Sequence, residues 1–138
     1  MVTREQWATH FLKWLDAPVT KRTTRALVCW IHAEGTAAVW NPLATTQRMP
    51  GSTDFNSVGV QNYPSEQVGL DATGKTILYT GHGYEVIVSR LRKDRRTSSI
   101  LKAVEASDWG TGGLALLVWQ SIRRYGNYET YADRPVGQ

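Results

Sequence analysis

Apolar residues recur at helical spacing along most of this chain, and one block, Asn41 to Tyr63, breaks the pattern with Pro, Gly, Thr, Ser and Asn. That alternation limits the fold to a mainly α (α+β) arrangement, helices around one core with an ordered loop carrying one or two short strands between them. Trp7, Phe11, Trp14 and Leu15 share one face of a first helix, opened by a capping-box pattern from Thr3 to Gln6 and closed at Ala17-Pro18. Thr20 opens a second helix, from Lys21 to Ala33 or Glu34, whose apolar face is Leu27, Trp30 and Ile31; Gly35 stops it. Within the irregular block the best strand is Ser57 to Gln61. Ser65 caps a third helix with Glu66 in its first turn, although Gly69 and Gly74 lower its propensity. A turn at Thr80 to Gly83 precedes a fourth helix with Tyr84, Ile87, Val88 and Leu91 on one face. Thr97 or Ser98 caps a fifth, with Ile100, Ala103 and Val104 facing in. Gly110 to Gly113 is a flexible break before a strongly apolar sixth helix, Leu114 to Tyr125.

A length of 138 residues suits one domain, assigned to residues 1–125, with 126–138 as a loose polar tail. No apolar run approaches the ~20 residues that span a bilayer. The N-terminal stretch is amphipathic, without the long apolar segment and small-residue cleavage site of a signal peptide. The expectation is synthesis in a cytoplasm and, for action outside it, export by other means. Cys29 is the single cysteine and lies in an apolar run, so it reads as buried and inert. His10, His32 and His82 lack metal-ligand spacing, which argues against a zinc site and a metallopeptidase; no cofactor motif is present.

The net charge of +4 and pI near 9.4 favour an anionic partner, whether nucleic acid, acidic membrane or cell wall. Arg90, Arg92, Lys93, Arg95 and Arg96 concentrate that charge. The run reads either as a phosphate-holding patch or as a solvated helix end.

Glu34 stands apart. It lies three, four and seven residues after Ile31, Trp30 and Leu27, on the apolar face of its own helix and at its C-terminal end. Burial and the negative end of the helix dipole both disfavour its charged form. A carboxylic acid that keeps its proton near neutral pH is what a glycosidase needs to protonate a leaving oxygen. The alternative from spacing alone is a solvated Glu in a frayed last turn.

The residues around it form an ordered string. Ala33-Glu34-Gly35-Thr36, Asn41-Pro42-Leu43-Ala44-Thr45-Thr46, the stretch from Pro50 to Ser65, then Gly69 and Ala72-Thr73 follow one another. This string resembles the lysozyme-like peptidoglycan-cleaving domains of bacteriophages, in particular those of actinobacterial phages. Ser107-Asp108-Trp109-Gly110-Thr111-Gly112 is similar to a late segment of the same family. A second Gly often follows the Glu-Gly pair there, where this chain has Thr36.

The resemblance implies a lysozyme-like helical domain, a cleft between helices and hairpin, and Glu34 as catalytic acid. It fixes no second carboxylate; Asp54, on the hairpin, is the best local candidate, and an Asx-turn role is its alternative. Asn41, Thr45, Thr46, Gln47, Asn56 and Gln61 suit the N-acetyl and hydroxyl groups of a glycan, or loop-internal hydrogen bonds. Trp40, Tyr63 and Tyr84 can stack on sugar rings or pack in the core.

Two functional classes follow. One is a muramidase or lytic transglycosylase acting on peptidoglycan glycan strands. The other is a non-catalytic virion or accessory protein that reuses the fold to bind cell wall or other phage proteins. Either acts at the wall or within a virion. Nucleic acid is the weaker expectation for a partner, resting on the basic run alone.

Overall fold

The computed structural model describes residues 1–138. It is mainly helical, with seven helices and one two-stranded antiparallel sheet. Helix α1 (Arg4–Trp14) opens on the expected capping box, and Trp7, Phe11 and Trp14 stack in sequence, ring centroids 5.1 and 6.3 Å apart. Helix α2 (Lys21–Glu34) is capped by Thr20 with Thr23 as its reciprocal partner, and Gly35 ends it in the left-handed conformation at φ 59°.

α2 is the axis of the fold. It touches α1, α5 (Thr97–Ala106), α6 (Leu114–Tyr125) and α7 (Tyr128–Ala132). Its burial is wider than the expected face: Val28 and Cys29 are as inaccessible as Leu27 and Trp30. A helix surrounded by neighbours buries most of its circumference. Burial pushes the Cys29 thiol up to about 12, so it stays protonated and unreactive.

The two glycines that weaken α3 (Glu66–Ile77) on propensity permit its packing. A Cβ on Gly69 would sit 2.0 Å from the Trp40 carbonyl oxygen, and one on Gly74 would fall 2.1 Å from the Trp14 ring. Trp14 then closes the contact by donating its indole N–H to Asp71 at 2.9 Å.

Three expectations need correction. The hairpin pairs β1 (Thr53–Asp54) with β2 (Gln61–Asn62), Thr53 opposite Asn62 and Asp54 opposite Gln61, so Ser57 to Val60 form its loop and not a strand. Asn56 accepts the Val60 N–H at 3.0 Å, an Asx-type closure that competes with a ladder there, and leaves Val58 75% exposed. At α5 neither Thr97 nor Ser98 caps: Arg96 holds the cap position, and the Thr97 hydroxyl donates instead to the Arg22 carbonyl on α2 at 2.9 Å.

The third correction is the C-terminal segment, which is no loose tail. Tyr128, Ala132 and Val136 repeat every four residues and are buried. Val136 N–H donates to the Val2 carbonyl, Arg4 N–H to Arg134, and Trp40 N–H to Gly137, at 3.0, 2.8 and 2.7 Å. The polar residues between these three apolar positions masked a docking face.

The basic run bridges α4 (Tyr84–Arg92) to α5. Arg90 and Arg92 are partly spent on structure, donating to the Ser99 and Leu15 carbonyls, whereas Lys93, Arg95 and Arg96 are exposed. No helix is long and apolar enough to cross a membrane.

Candidate active site around Glu34

The site begins at the last residue of α2. Trp30, one turn earlier on the same face, is fully buried and donates its indole N–H to the Glu34 carboxyl at 3.3 Å. Glu34 itself is half-buried. Loss of water pushes its carboxyl up to about 7; the Trp30 hydrogen bond works against that rise, and the negative charge of Glu105 adds to it. The group therefore exchanges its proton in the neutral range, as general acid–base chemistry requires.

Glu105 was not among the residues singled out from sequence. It sits near the C-terminus of α5 and takes two hydrogen bonds on one oxygen, from the Thr111 N–H and hydroxyl, each 2.6 Å. Its other oxygen is buried without a partner. The only sequence signal was its place three residues ahead of the Asp108-Trp109-Gly110 segment. That pairing also makes Gly110 to Gly113 an anchored turn, where free flexibility was expected.

An aromatic row runs on from Trp30, the indole that donates to Glu34. Trp30 meets Trp109 edge-on at 5.0 Å, Trp109 meets Tyr84 at 5.3 Å, and Tyr84 stacks on His82 at 5.2 Å. Trp109 donates its indole N–H to the Leu43 carbonyl at 2.9 Å, tying the row to the segment that leaves Glu34. His82 in turn contacts Asp108 at 2.8 Å. Tyr84 thus belongs to the same neighbourhood as Glu34, through two indoles, and burial raises its phenol above the ordinary value.

The hairpin is fastened to the chain that follows Gly35. Val39 N–H donates to the Asn62 side chain, and Tyr63 N–H to the Val39 carbonyl, both at 2.9 Å. Asn41 is wholly buried and uses its entire amide on this framework: two N–H bonds to the Thr45 and Gln61 carbonyls, and acceptance of the Thr45 N–H. Thr45 pairs with the Thr76 hydroxyl at 2.6 Å. Gln61, 2% exposed, donates to Asp54 and to the Gly59 carbonyl. Tyr63, also 2% exposed, donates to the Gln47 carbonyl at 2.6 Å.

The Asn41 amide, the Thr45 hydroxyl and the Tyr63 phenol are thus engaged on this framework. Trp40 is partly buried against the core, with a φ of 52°, and its carbonyl lies against Gly69 of α3. Thr46, Asp54 and Asn56 are exposed, and Gln47, Trp40 and Tyr84 keep part of their surface accessible. Asp54 is exposed and holds Gln61 at 2.7 Å; it is not among the groups that perturb Glu34, and Glu105 is. Compared with known proteins, the chain matches no family model, no curated protein and no solved structure.

Proposed function

We propose that this protein cleaves the glycan strands of peptidoglycan, as a muramidase or lytic transglycosylase, with Glu34 as its acid and then its base. The observation that carries this reading is the environment of Glu34: a half-buried carboxyl on an indole, raised to about 7, at the end of the fold's central helix. In the first half of the reaction the protonated carboxyl gives its proton to the glycosidic oxygen as the C1–O bond breaks. In the second half the carboxylate takes a proton from the attacking hydroxyl as the new C1–O bond forms. If that hydroxyl is water, the product has a reducing end. If it is the sugar's own C6 hydroxyl, the product is an internal 1,6-anhydro acetal and no base beyond Glu34 is needed.

Glu105 has a positioning role in this scheme. Its negative charge favours the protonated form of Glu34, and its grip on Thr111 fixes the neighbouring turn. The experiment compares the unmutated chain with Glu34→Gln on purified walls, following turbidity and the product ends. Clearance by the first and not by the second supports the proposal. Equal clearance by both would remove Glu34 from the mechanism, and no clearance by either on several wall types would favour a wall-binding module without catalysis.

A further inference from the structure

The other end of α2 carries a second feature. A cavity of about 390 Å³ opens there, bounded by Lys21, Arg22 and Arg25 of α2, Arg96 at the start of α5, and Arg123 of α6. No carboxylate lines it; Thr97, Ser98 and Trp119 complete its wall. Two further hollows continue from it. The first, about 340 Å³, shares Arg22 and Arg96 and adds Arg95; the second, about 300 Å³, shares Arg95 and adds Lys93 and Arg90. Eight of the chain's sixteen Lys and Arg residues therefore lie along one continuous surface.

That surface is not neutralised from within. Of its cations, Arg22 alone meets a carboxylate, Asp94 at 3.6 Å, and Asp94 is also held by the Thr20 hydroxyl. Glu85 is the one other acid on its walls. Crowding like charges costs free energy in the folded state, and an anionic ligand offsets it. The cations come from α2, α4, α6 and the α4–α5 turn, so packed helices hold most of them in place relative to one another.

We infer that this surface binds a phosphodiester-linked anionic polymer of the cell wall and anchors the enzyme to it. The choice of a wall polymer rests on the proposed peptidoglycan activity. Three cationic hollows in a row match a repeating anion and exceed what a single phosphate needs. Single-stranded nucleic acid is the less suitable polyanion: proteins that track single strands interleave stacking aromatics with their cations, and Trp119, half-buried, is the one aromatic here. Lys21 and Glu34 stand at opposite ends of α2, about 20 Å apart at the helical rise. An anchored polymer would leave the Glu34 site free.

The test uses Glu34→Gln protein, so that walls are bound and not cut. Retention is measured by co-sedimentation on walls before and after hydrofluoric acid has stripped their phosphodiester polymers. The expected result is retention on intact walls that weakens about tenfold on stripped walls. A similar loss is expected in Arg96→Gln/Arg123→Gln, while Lys13→Gln/Lys75→Gln, which removes equal charge elsewhere, retains binding. Added salt should imitate the loss. Equal retention on stripped walls, or equal loss in the control variant, would overturn the inference. So would a DNA oligonucleotide that displaces the protein from intact walls more effectively than soluble poly(ribitol phosphate) at equal phosphate. Retention is read without catalysis, so polymer-dependent binding in a chain that never clears walls would sink the enzymatic reading alone, and clearance without polymer dependence would sink this one alone.

Discussion

Helix α2 treats the helix dipole in the opposite way from α1 and α3. α1 has Glu5 in its first turn and Lys13 in its last; α3 has Glu66 first and Lys75 last. Both place charge where the dipole favours it. α2 reverses the pattern, with Lys21 and Arg22 in its first turn, no acid there, and Glu34 as its final residue. Each reversal costs about 0.3–1 kcal/mol. His32 does little to compensate in the last turn, because burial and the nearby Arg4 and Arg134 lower its proton affinity. A helix that opposes its own dipole at both ends, yet forms the centre of the core, is held by packing. The lesson is that packing frees its ends to carry charges the dipole disfavours.

The largest expected effect tests the acid end. Glu34→Gln keeps the shape and a hydrogen-bonding amide but has no proton to transfer, so wall clearance should fall by ~10²–10⁴-fold with the fold intact by circular dichroism. Clearance by the unmutated chain should also decline as pH rises above about 7, where Glu34 loses its proton.

Stability sharpens the same contrast. The folded carboxyl holds its proton up to about 7, against an ordinary value of 4.5 for the unfolded chain. Between those values the unfolded state binds fewer protons, so Glu34 lowers stability progressively as pH rises through that window. Below it the cost is absent, and above it the cost is full. Glu34→Gln should therefore match the unmutated chain in acid and exceed it by about 2 kcal/mol above neutrality, allowing for partial solvent contact. Urea unfolding across pH measures this; a constant difference would contradict it.

Glu105→Gln should give a smaller change. The amide oxygen still accepts from Thr111, while the charge that favours protonated Glu34 is gone. The alkaline limb of the activity profile should move to lower pH by less than about one unit. A drop in activity with no movement of the limb would mean that Glu105 acts only through the turn.

The smallest effects belong to the cationic end and the hairpin. Lys21→Glu should raise stability in urea unfolding slightly, by about 0.3–1 kcal/mol of helix–dipole energy, while weakening wall retention. Asp54→Asn leaves an oxygen to receive the Gln61 amide, so activity should change little. A loss as deep as that of Glu34→Gln would make Asp54 the carboxylate that directs a water.

Much of the helical layout was legible because it is local. Thr3 and Thr20 as caps, Gly35 as a stop and Ser65 as a cap depend on a few consecutive residues, and the structure has each in that role. The placement of Glu34 on an apolar face was local too, set by its spacing from Trp30 and Ile31. The C-terminal segment was misread although Tyr128, Ala132 and Val136 recur at one-turn spacing, since a short polar stretch gives no hint of the surface it will meet. The polar string from Asn41 to Gln61 was ambiguous for a related reason. An amide that can bind a sugar can equally bind a carbonyl, and only the tertiary fold supplies the carbonyls of Thr45 and Gln61 that consume Asn41.

The sequence by itself determined the helices, the hairpin's approximate place and the acid at the end of α2, because capping, periodicity and turn chemistry act over a handful of residues. The tertiary structure decided what surrounds that acid. Glu105 is 71 residues from Glu34, and Trp109 is 66 from the Leu43 carbonyl it holds. Arg123 and Lys21 reach one cavity from the two ends of the chain. Electrostatic coupling depends on distance in space, through a medium whose polarity is set by packing, and neither quantity is written in the order of residues.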